Sequence, residues 1–88
     1  MFTGIIQSTG RIQHIQKQDS DSRFEFDTGD LSLSDMAIGD SIAVNGACLT
    51  IIEKGENTFK ADLSKETLDL TTFSGLKEGA RINLEKAM

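Results

Sequence analysis

The chain has 88 residues, a formal net charge of −5, and 38% hydrophobic and 26% charged residues, which is the composition of one globular domain with a modest core. The acidic balance, without basic clusters, disfavours nucleic acid and anionic membranes as partners. No apolar run has the length expected of a transmembrane helix or a signal peptide. Cys48 is the one cysteine, so no internal disulfide can form, and a reduced, cytoplasmic setting is expected.

Two strands and an irregular connection are predicted for the first half of the chain. Gly4–Gln16 is expected to be a strand with a bend or bulge at Gly10, because the phase of its apolar residues shifts after Ile12. Arg23–Asp27 alternates strictly between polar and apolar residues, which predicts a second strand. Its inward side chains are Phe24 and Phe26. Residues 29–40 have no regular period, and one helical turn is expected there. The candidate N-caps of that turn are Ser32 and Ser34.

A hairpin is predicted at the centre of the chain. Two β-rich runs flank Asn45-Gly46, the favoured dipeptide of a type I′ turn. If these two residues form the whole loop, Ser41 pairs with Thr50 and the side chains divide between two faces. The inward face carries Ile42, Val44, Ala47, Leu49 and Ile51, and the outward face carries Ser41, Ala43, Cys48, Thr50 and Ile52. Three small polar side chains on the outward face are typical of the floor of a site, although an ordinary hairpin also turns such a face to water.

The remainder of the chain is predicted to form two strands and a short helix. Thr58–Leu63 is a strand that ends just before Ser64, a plausible N-cap for a helical turn over Lys65–Leu70. The last strand spans Ala80–Glu85. The inward residues of these strands are Phe59, Ala61, Leu63, Ile82 and Leu84. About six short strands with turns between them favour a closed barrel or a sandwich.

Few residues offer chemistry by their type and spacing alone. Cys48 is a candidate nucleophile, but nothing in the sequence brings His14 to it. The more common outcomes are a solvated histidine for His14 and a small packed residue for Cys48. No group of residues has metal-ligand spacing. Acidic and hydroxyl side chains do cluster where a strand ends and a helix begins, and free backbone N–H groups can bind a polar ligand edge there. These are Asp62, Ser64, Glu66 and Thr67. The alternative is a simple cap with solvated acids.

Several segments, in order along the chain, resemble riboflavin synthases. They are Met1-Phe2-Thr3-Gly4-Ile5-Ile6, Val44-Asn45-Gly46-Ala47-Cys48-Leu49-Thr50, Lys65-Glu66-Thr67-Leu68, Gly75-Leu76-Lys77-Glu78-Gly79 and Ile82-Asn83-Leu84-Glu85-Lys86-Ala87-Met88. Their order and spacing are specific together, and the resemblance covers essentially the whole chain. The departures are mild: Asp69 stands where a basic residue is common, and Lys86 where arginine is usual.

The resemblance implies a six-stranded antiparallel Greek-key β-barrel with short helical turns. Residues 1–88 would be one lumazine-binding barrel, the first of two in a longer enzyme. That family converts two molecules of 6,7-dimethyl-8-ribityllumazine into riboflavin and 5-amino-6-ribitylaminouracil, a transferase reaction without a metal or redox cofactor. The resemblance further implies a homotrimer of the two-barrel chain, and we expect the isolated barrel to form a homodimer.

The resemblance also implies which residues form the pocket. The ligand-binding residues would be Gly4, Ile5, Ile6, Cys48, Leu49, Thr50, Asp62, Leu63, Ser64, Lys65, Glu66 and Thr67. Cys48, Ser41 and Thr50 would lie beside the pteridine as candidate catalytic residues that donate or shuttle protons.

Two other functions share this type of barrel. Non-catalytic, antenna-type proteins bind a lumazine or flavin, and they resemble this chain in Thr72-Phe73 and in the glycine-flanked segment that follows. Those proteins tend to have a basic residue in place of Thr3 and to lack the Lys-Glu-Thr segment. This chain keeps Thr3 and Lys65-Glu66-Thr67, which favours the enzyme. A flavin barrel of the ferredoxin-reductase type would require an Arg-x-Tyr-Ser strand, and the chain has no tyrosine.

Overall fold

The computed structural model describes residues 8–18, 21–70 and 75–86. These residues form seven strands and one helix: β1 Ser8–Gln18, β2 Asp21–Asp27, β3 Ser41–Val44, β4 Ala47–Thr50, β5 Glu53–Lys54, β6 Thr58–Leu63, α1 Lys65–Leu70 and β7 Arg81–Lys86. The strands make one antiparallel sheet in the order β4-β3-β7-β1-β2-β6-β5. The predicted all-β architecture is therefore confirmed.

The two ends of this sheet are consecutive in the chain. Only Ile51 and Ile52 separate β4 from β5. The N–H of Ile51 donates to the carbonyl of Asp40, just before β3, whereas the N–H of Ile52 donates to the carbonyl of Lys60 in β6, both at 2.9 Å. One bent strand thus changes partner between adjacent residues and curls the sheet into a barrel. The bend divides one predicted strand into β4 and β5, which is why six predicted strands become seven.

Three phenylalanines fill the middle of the barrel. Phe24 and Phe26 point inward from β2, and Phe59 points inward from β6. The ring centroids of Phe26 and Phe59 are 4.9 Å apart, and those of Phe24 and Phe26 are 5.8 Å apart, distances at which aromatic pairs attract one another. The predicted inward residues of β6 and β7 are buried as well, which confirms the alternation. They are Phe59, Ala61, Leu63, Ile82 and Leu84.

The connection between β2 and β3 contains turns where the sequence predicted a helical turn. The N–H of Met36 donates to the carbonyl of Leu33, and that of Asp40 donates to the carbonyl of Ala37, both at 3.0 Å. The Ser32 hydroxyl accepts only the Ser34 N–H, at 3.3 Å. The predicted helical turn is wrong, and Leu33 from this connection is instead fully buried in the hydrophobic core. The Lys54 ammonium donates a hydrogen bond to the carbonyl of Leu33 at 2.9 Å.

The irregularity in β1 lies three residues beyond the predicted position. The register with β2 shifts between Ile12 and His14, so the bulge is there and its prediction at Gly10 is wrong. The shift of apolar phase after Ile12 was the correct signal. Gly10 is instead a point of close approach, because a Cβ at this position would lie 2.1 Å from the carbonyl oxygen of Asp27. Residues 4–7 of the predicted strand lie outside the described residues.

Candidate functional site

The central hairpin has the predicted register and turn. Ser41 pairs with Thr50 and Ala43 with Cys48. Positive φ values of 51° at Asn45 and 85° at Gly46 are those of a type I′ turn. The turn is also tied to the neighbouring strand. The Asn45 side-chain oxygen accepts the Asn83 N–H at 2.8 Å, and the Asn45 N–H donates to the Asn83 carbonyl at 2.9 Å. The hairpin therefore has a fixed position on β7.

The outward face of this hairpin presents the three polar side chains together. Ser41 is half-buried, whereas Cys48 and Thr50 are exposed. Ser41 and Thr50 lie directly opposite each other, and Cys48 follows two positions away on the same face. Ala43 also lies on this face but is buried between β4 and β7. The outward face therefore presents two hydroxyl groups and one thiol group close together on the hairpin of β3 and β4.

The end of β6 and the start of α1 form a second polar segment. The Ser64 hydroxyl accepts the Thr67 N–H at 3.1 Å and lies 3.0 Å from the Thr67 hydroxyl, which confirms the predicted N-cap. Glu66 lies in the first turn, where a negative charge is favourable. Ser64 therefore has a structural role, and any ligand contact would add to it.

The bend between β4 and β5 brings the hairpin strand β4 against β6, which leads into α1. β5 pairs with β6 so that Glu53 faces Lys60 and Lys54 faces Phe59. The N–H of Ile52 donates to the same Lys60 carbonyl, so the register shifts by one residue at the bend. Continued past this shift, it places Thr50 level with Asp62, both exposed, and β4 contacts β6. The outward hairpin face and the end of β6 that leads into α1 together form the surface that we call the candidate site.

The predicted pocket residues fall into three groups according to where the structure places them. Leu49 and Leu63 are only 4% and 1% exposed, so their side chains pack in the core and a ligand could meet only their backbone. Lys65 and Glu66 are exposed and Thr67 is half-buried at the start of α1. Gly4, Ile5 and Ile6 lie outside the described residues.

Asp62 carries an ion pair that sequence reasoning missed. The Arg23 guanidinium donates from Nε to Oδ1 at 2.8 Å and from Nη2 to Oδ2 at 3.1 Å. These hydrogen bonds hold the pKa of Asp62 below its usual value and raise that of Arg23. The two residues are 39 positions apart in sequence and meet only because β2 pairs with β6. The one available signal was that both strands alternate and place these residues outward.

His14 takes no part in the candidate site. Its Nδ1 lies 2.9 Å from the Glu78 carboxylate, with 60% of the side chain exposed. Two strands, β3 and β7, separate β1 from the strand that carries Cys48. A cysteine–histidine pair is therefore excluded for these two residues, in agreement with the solvated histidine expected from the sequence.

Ser41 also borders a cleft on the other side of β3. This cleft has a volume of about 450 Å³ and is lined by Asp35, Met36, Gly39, Asp40, Ser41 and Lys86. The Lys86 ammonium lies 2.7 Å from the Asp35 carboxylate and lowers the pKa of that carboxyl. Among the described residues, no cluster of histidine, cysteine or acidic side chains could hold a metal ion. The described part of the chain also has no helix long and apolar enough to cross a membrane.

Comparison with known families assigns the barrel. The family model described as the lumazine binding domain matches residues 3–87. The chain belongs to the lumazine-binding domain family. Riboflavin synthases of Photobacterium phosphoreum and Bacillus subtilis (strain 168) are 49% and 41% identical over all 88 residues. The riboflavin synthase of Escherichia coli (strain K12) is 38% identical over 87 residues. This lumazine-binding domain spans about 40% of the length of these relatives.

Solved structures of the same family superpose on the barrel closely. LumP complexed with 6,7-dimethyl-8-(1'-D-ribityl) lumazine is 31% identical with a TM-score of 0.87, over 100% of this chain and 48% of LumP. LumP complexed with flavin mononucleotide is 32% identical with a TM-score of 0.86, over 98% of this chain and 49% of LumP. The chain is thus similar both to riboflavin synthases and to a protein crystallised with bound lumazine or flavin.

Proposed function

We propose that this lumazine-binding domain binds 6,7-dimethyl-8-ribityllumazine or riboflavin and that, as the first barrel of a two-barrel chain, it takes part in riboflavin synthesis. The observation that carries the proposal is the contact of β4 with β6 at the bend between β4 and β5. β4 carries Cys48 and Thr50 on the outward hairpin face, and β6 leads into the capped start of α1 at Ser64.

The proposed reaction is the transfer of a four-carbon unit between two lumazines. The donor becomes 5-amino-6-ribitylaminouracil and the acceptor becomes riboflavin, so no external oxidant or reductant is required. Holding two planar reactants in opposed orientation can supply up to about 7–11 kcal/mol of the barrier. A methyl proton must also leave one ring. Ser41, Cys48 and Thr50 are the candidates to move protons, because all three carry an O–H or S–H on the proposed ligand face.

The same proposal implies an oligomeric state and a cellular location for the protein. A two-barrel chain would form a homotrimer in the cytoplasm, with small molecules rather than nucleic acid or membrane as partners. The isolated barrel would form a homodimer, because the surface that meets a second barrel in the longer chain would be open. No metal or redox cofactor enters the proposed chemistry. The single barrel would bind ligand but turn over weakly or not at all.

A second candidate function is lumazine or flavin binding without catalysis. Its specific support is the likeness to LumP, whose structures contain lumazine, riboflavin and flavin mononucleotide. The polar outward hairpin face serves both functions equally. The two functions differ in turnover, so a product assay on a two-barrel chain that contains this barrel separates them: riboflavin formation supports the enzyme, and tight binding without product supports the binding protein.

Ligand binding is the first prediction. Titration of riboflavin with the purified chain should quench its fluorescence or raise its polarisation, with one ligand per chain. Binding of only ~4 kcal/mol would register at ~1 mM ligand. Thr50→Val should weaken binding because it removes one exposed hydroxyl from the outward face. Thr9 is an exposed threonine on β1, so Thr9→Val is the control and should leave binding unchanged. No signal from the unmodified chain up to that concentration would refute the proposal.

A further inference from the structure

The Arg23–Asp62 ion pair lies on the outer face of the barrel where β6 leads into the candidate site. The register of β2 and β6 places the two residues directly opposite each other. The guanidinium makes two parallel hydrogen bonds to the two carboxylate oxygens, at 2.8 and 3.1 Å. Such a fork fixes the plane of the carboxylate, which a lysine ammonium cannot do. Arg23 belongs to none of the segments predicted to form the pocket.

We propose that Arg23 is a positioning residue for ligand binding: it holds the Asp62 carboxylate oriented and charged to accept a hydrogen bond from a neutral N–H or O–H group of a bound lumazine or flavin. This inference rests on the proposed function and names a residue that acts through Asp62. Arg23 itself touches no ligand in this arrangement.

Asp62 keeps the capacity to accept further hydrogen bonds. A carboxylate has about four lone-pair sites, and the fork uses one on each oxygen. The Asp62 side chain is 43% exposed. The register past the bend places it level with Thr50, and it lies two residues before the N-cap Ser64. The remaining lone pairs are therefore accessible at the edge of the candidate site.

The charge balance of the pair suits a neutral ligand. Because the Arg23 hydrogen bonds lower the pKa of Asp62, the carboxylate stays ionised and accepts only. The guanidinium neutralises it, so a polyol or ring N–H meets an oriented acceptor without an unpaired charge. Exposed ion pairs add little to fold stability, whereas a pre-ordered acceptor lowers the entropic cost of binding. The effect of Arg23 should therefore appear in affinity rather than in stability.

The test is riboflavin affinity, measured by fluorescence titration of the 88-residue chain and its variants. Arg23→Gln and Asp62→Asn should each weaken binding about three- to tenfold, the range of the net contribution of one ordinary hydrogen bond. Arg23→Lys should restore part of the loss, since it keeps the charge but not the fork. Adding Arg23→Gln to Asp62→Asn should cost nothing more, because Arg23 acts through Asp62. Thermal unfolding midpoints should stay within a few degrees.

Lys60→Gln is the matched control. Lys60 lies on the same outer face of β6, two residues from Asp62, and its ammonium lies 3.6 Å from the Glu53 carboxylate. Loss of that ion pair should leave the affinity unchanged. Wild-type affinity in Arg23→Gln, or a further loss when it is added to Asp62→Asn, would overturn the inference while riboflavin binding stands. Failure of the unmodified chain to bind riboflavin would instead overturn the proposed function and the inference together.

Discussion

Asn45 shows how one residue can position a site that it does not enter. Its φ of 51° belongs to the left-handed region, which asparagine tolerates better than most residues. Its side-chain oxygen also accepts the Asn83 N–H of β7 at 2.8 Å. Glycine would permit the same turn but would leave that N–H without its side-chain acceptor. Asn45 therefore sets the hairpin geometry and attaches the hairpin to the sheet at once.

A role in the reaction and a role in packing predict different effects of substituting Cys48. It is exposed on the outward hairpin face, so it does not pack in the core of this barrel. Cys48→Ser, in a two-barrel chain, should lower turnover roughly tenfold and leave riboflavin affinity largely intact. The loss should stay below the hundredfold or more typical of a lost general acid or base, because serine keeps an O–H.

Steady-state turnover and fluorescence titration of the same preparation measure both quantities. Thr9→Ser, at another exposed position, is the control and should change neither turnover nor riboflavin affinity. Turnover equal to that of the unmodified chain would mean that the Cys48 thiol has no part in the reaction.

At the scale of elements, the bend between β4 and β5 creates the site. The switch of backbone partner between Ile51 and Ile52 lets one strand pair first with β3 and then with β6, which sets the outward hairpin face next to the end of β6. Both N–H groups stay hydrogen-bonded across the bend, so neither loses its backbone partner.

The close approach of β1 and β2 at Gly10 gives an element-scale prediction for stability. A Cβ there would lie 2.1 Å from the Asp27 carbonyl oxygen and 3.1 Å from the Leu84 side chain. Gly10→Ala should therefore lower the free energy of unfolding by about 2 kcal/mol or more, the range of overpacking. Urea unfolding of the two proteins measures the difference.

Gly75→Ala is the matched substitution, since a Cβ at Gly75 meets no atom within 4 Å. We expect it to change the stability by less than ~1 kcal/mol. Equal stability of Gly10→Ala and the unmodified chain would show that β1 and β2 can separate at this point without cost.

At the scale of the whole molecule, the barrel spans about 40% of its curated relatives and 48% of LumP. We predict that the isolated chain is a homodimer, because identical surfaces can satisfy each other around a twofold axis. Turnover should be weak or absent, since two identical barrels need not align two lumazines for attack. Analytical ultracentrifugation with and without riboflavin measures the first claim, and a product assay measures the second.

A strict monomer at high protein concentration would contradict the predicted assembly. Full turnover by the 88-residue chain would contradict the requirement for a second, different barrel. The two results are independent, so either claim can fail alone.

Local features of this protein were determined by its sequence. The Asn45-Gly46 turn and the hairpin register follow from dihedral preferences of two adjacent residues, and both agree with the structure. The cap at Ser64 and the alternation of Phe24 and Phe26 are equally local. Each depends on residues within four positions of one another, so a single sequence contains the whole cause. The assignment of pocket residues came from family resemblance and remains a prediction.

Only the tertiary structure decided the features that join distant segments. Arg23 meets Asp62 because β2 pairs with β6, and Leu33 is buried in the core where a helical turn was predicted. The bend at Ile51 depends on two competing partners, β3 and β6. These outcomes minimise the free energy of the closed barrel as a whole. Local propensities, worth a few tenths of a kcal/mol per residue, are too small to oppose the burial of a large side chain, worth about 1.5–3 kcal/mol.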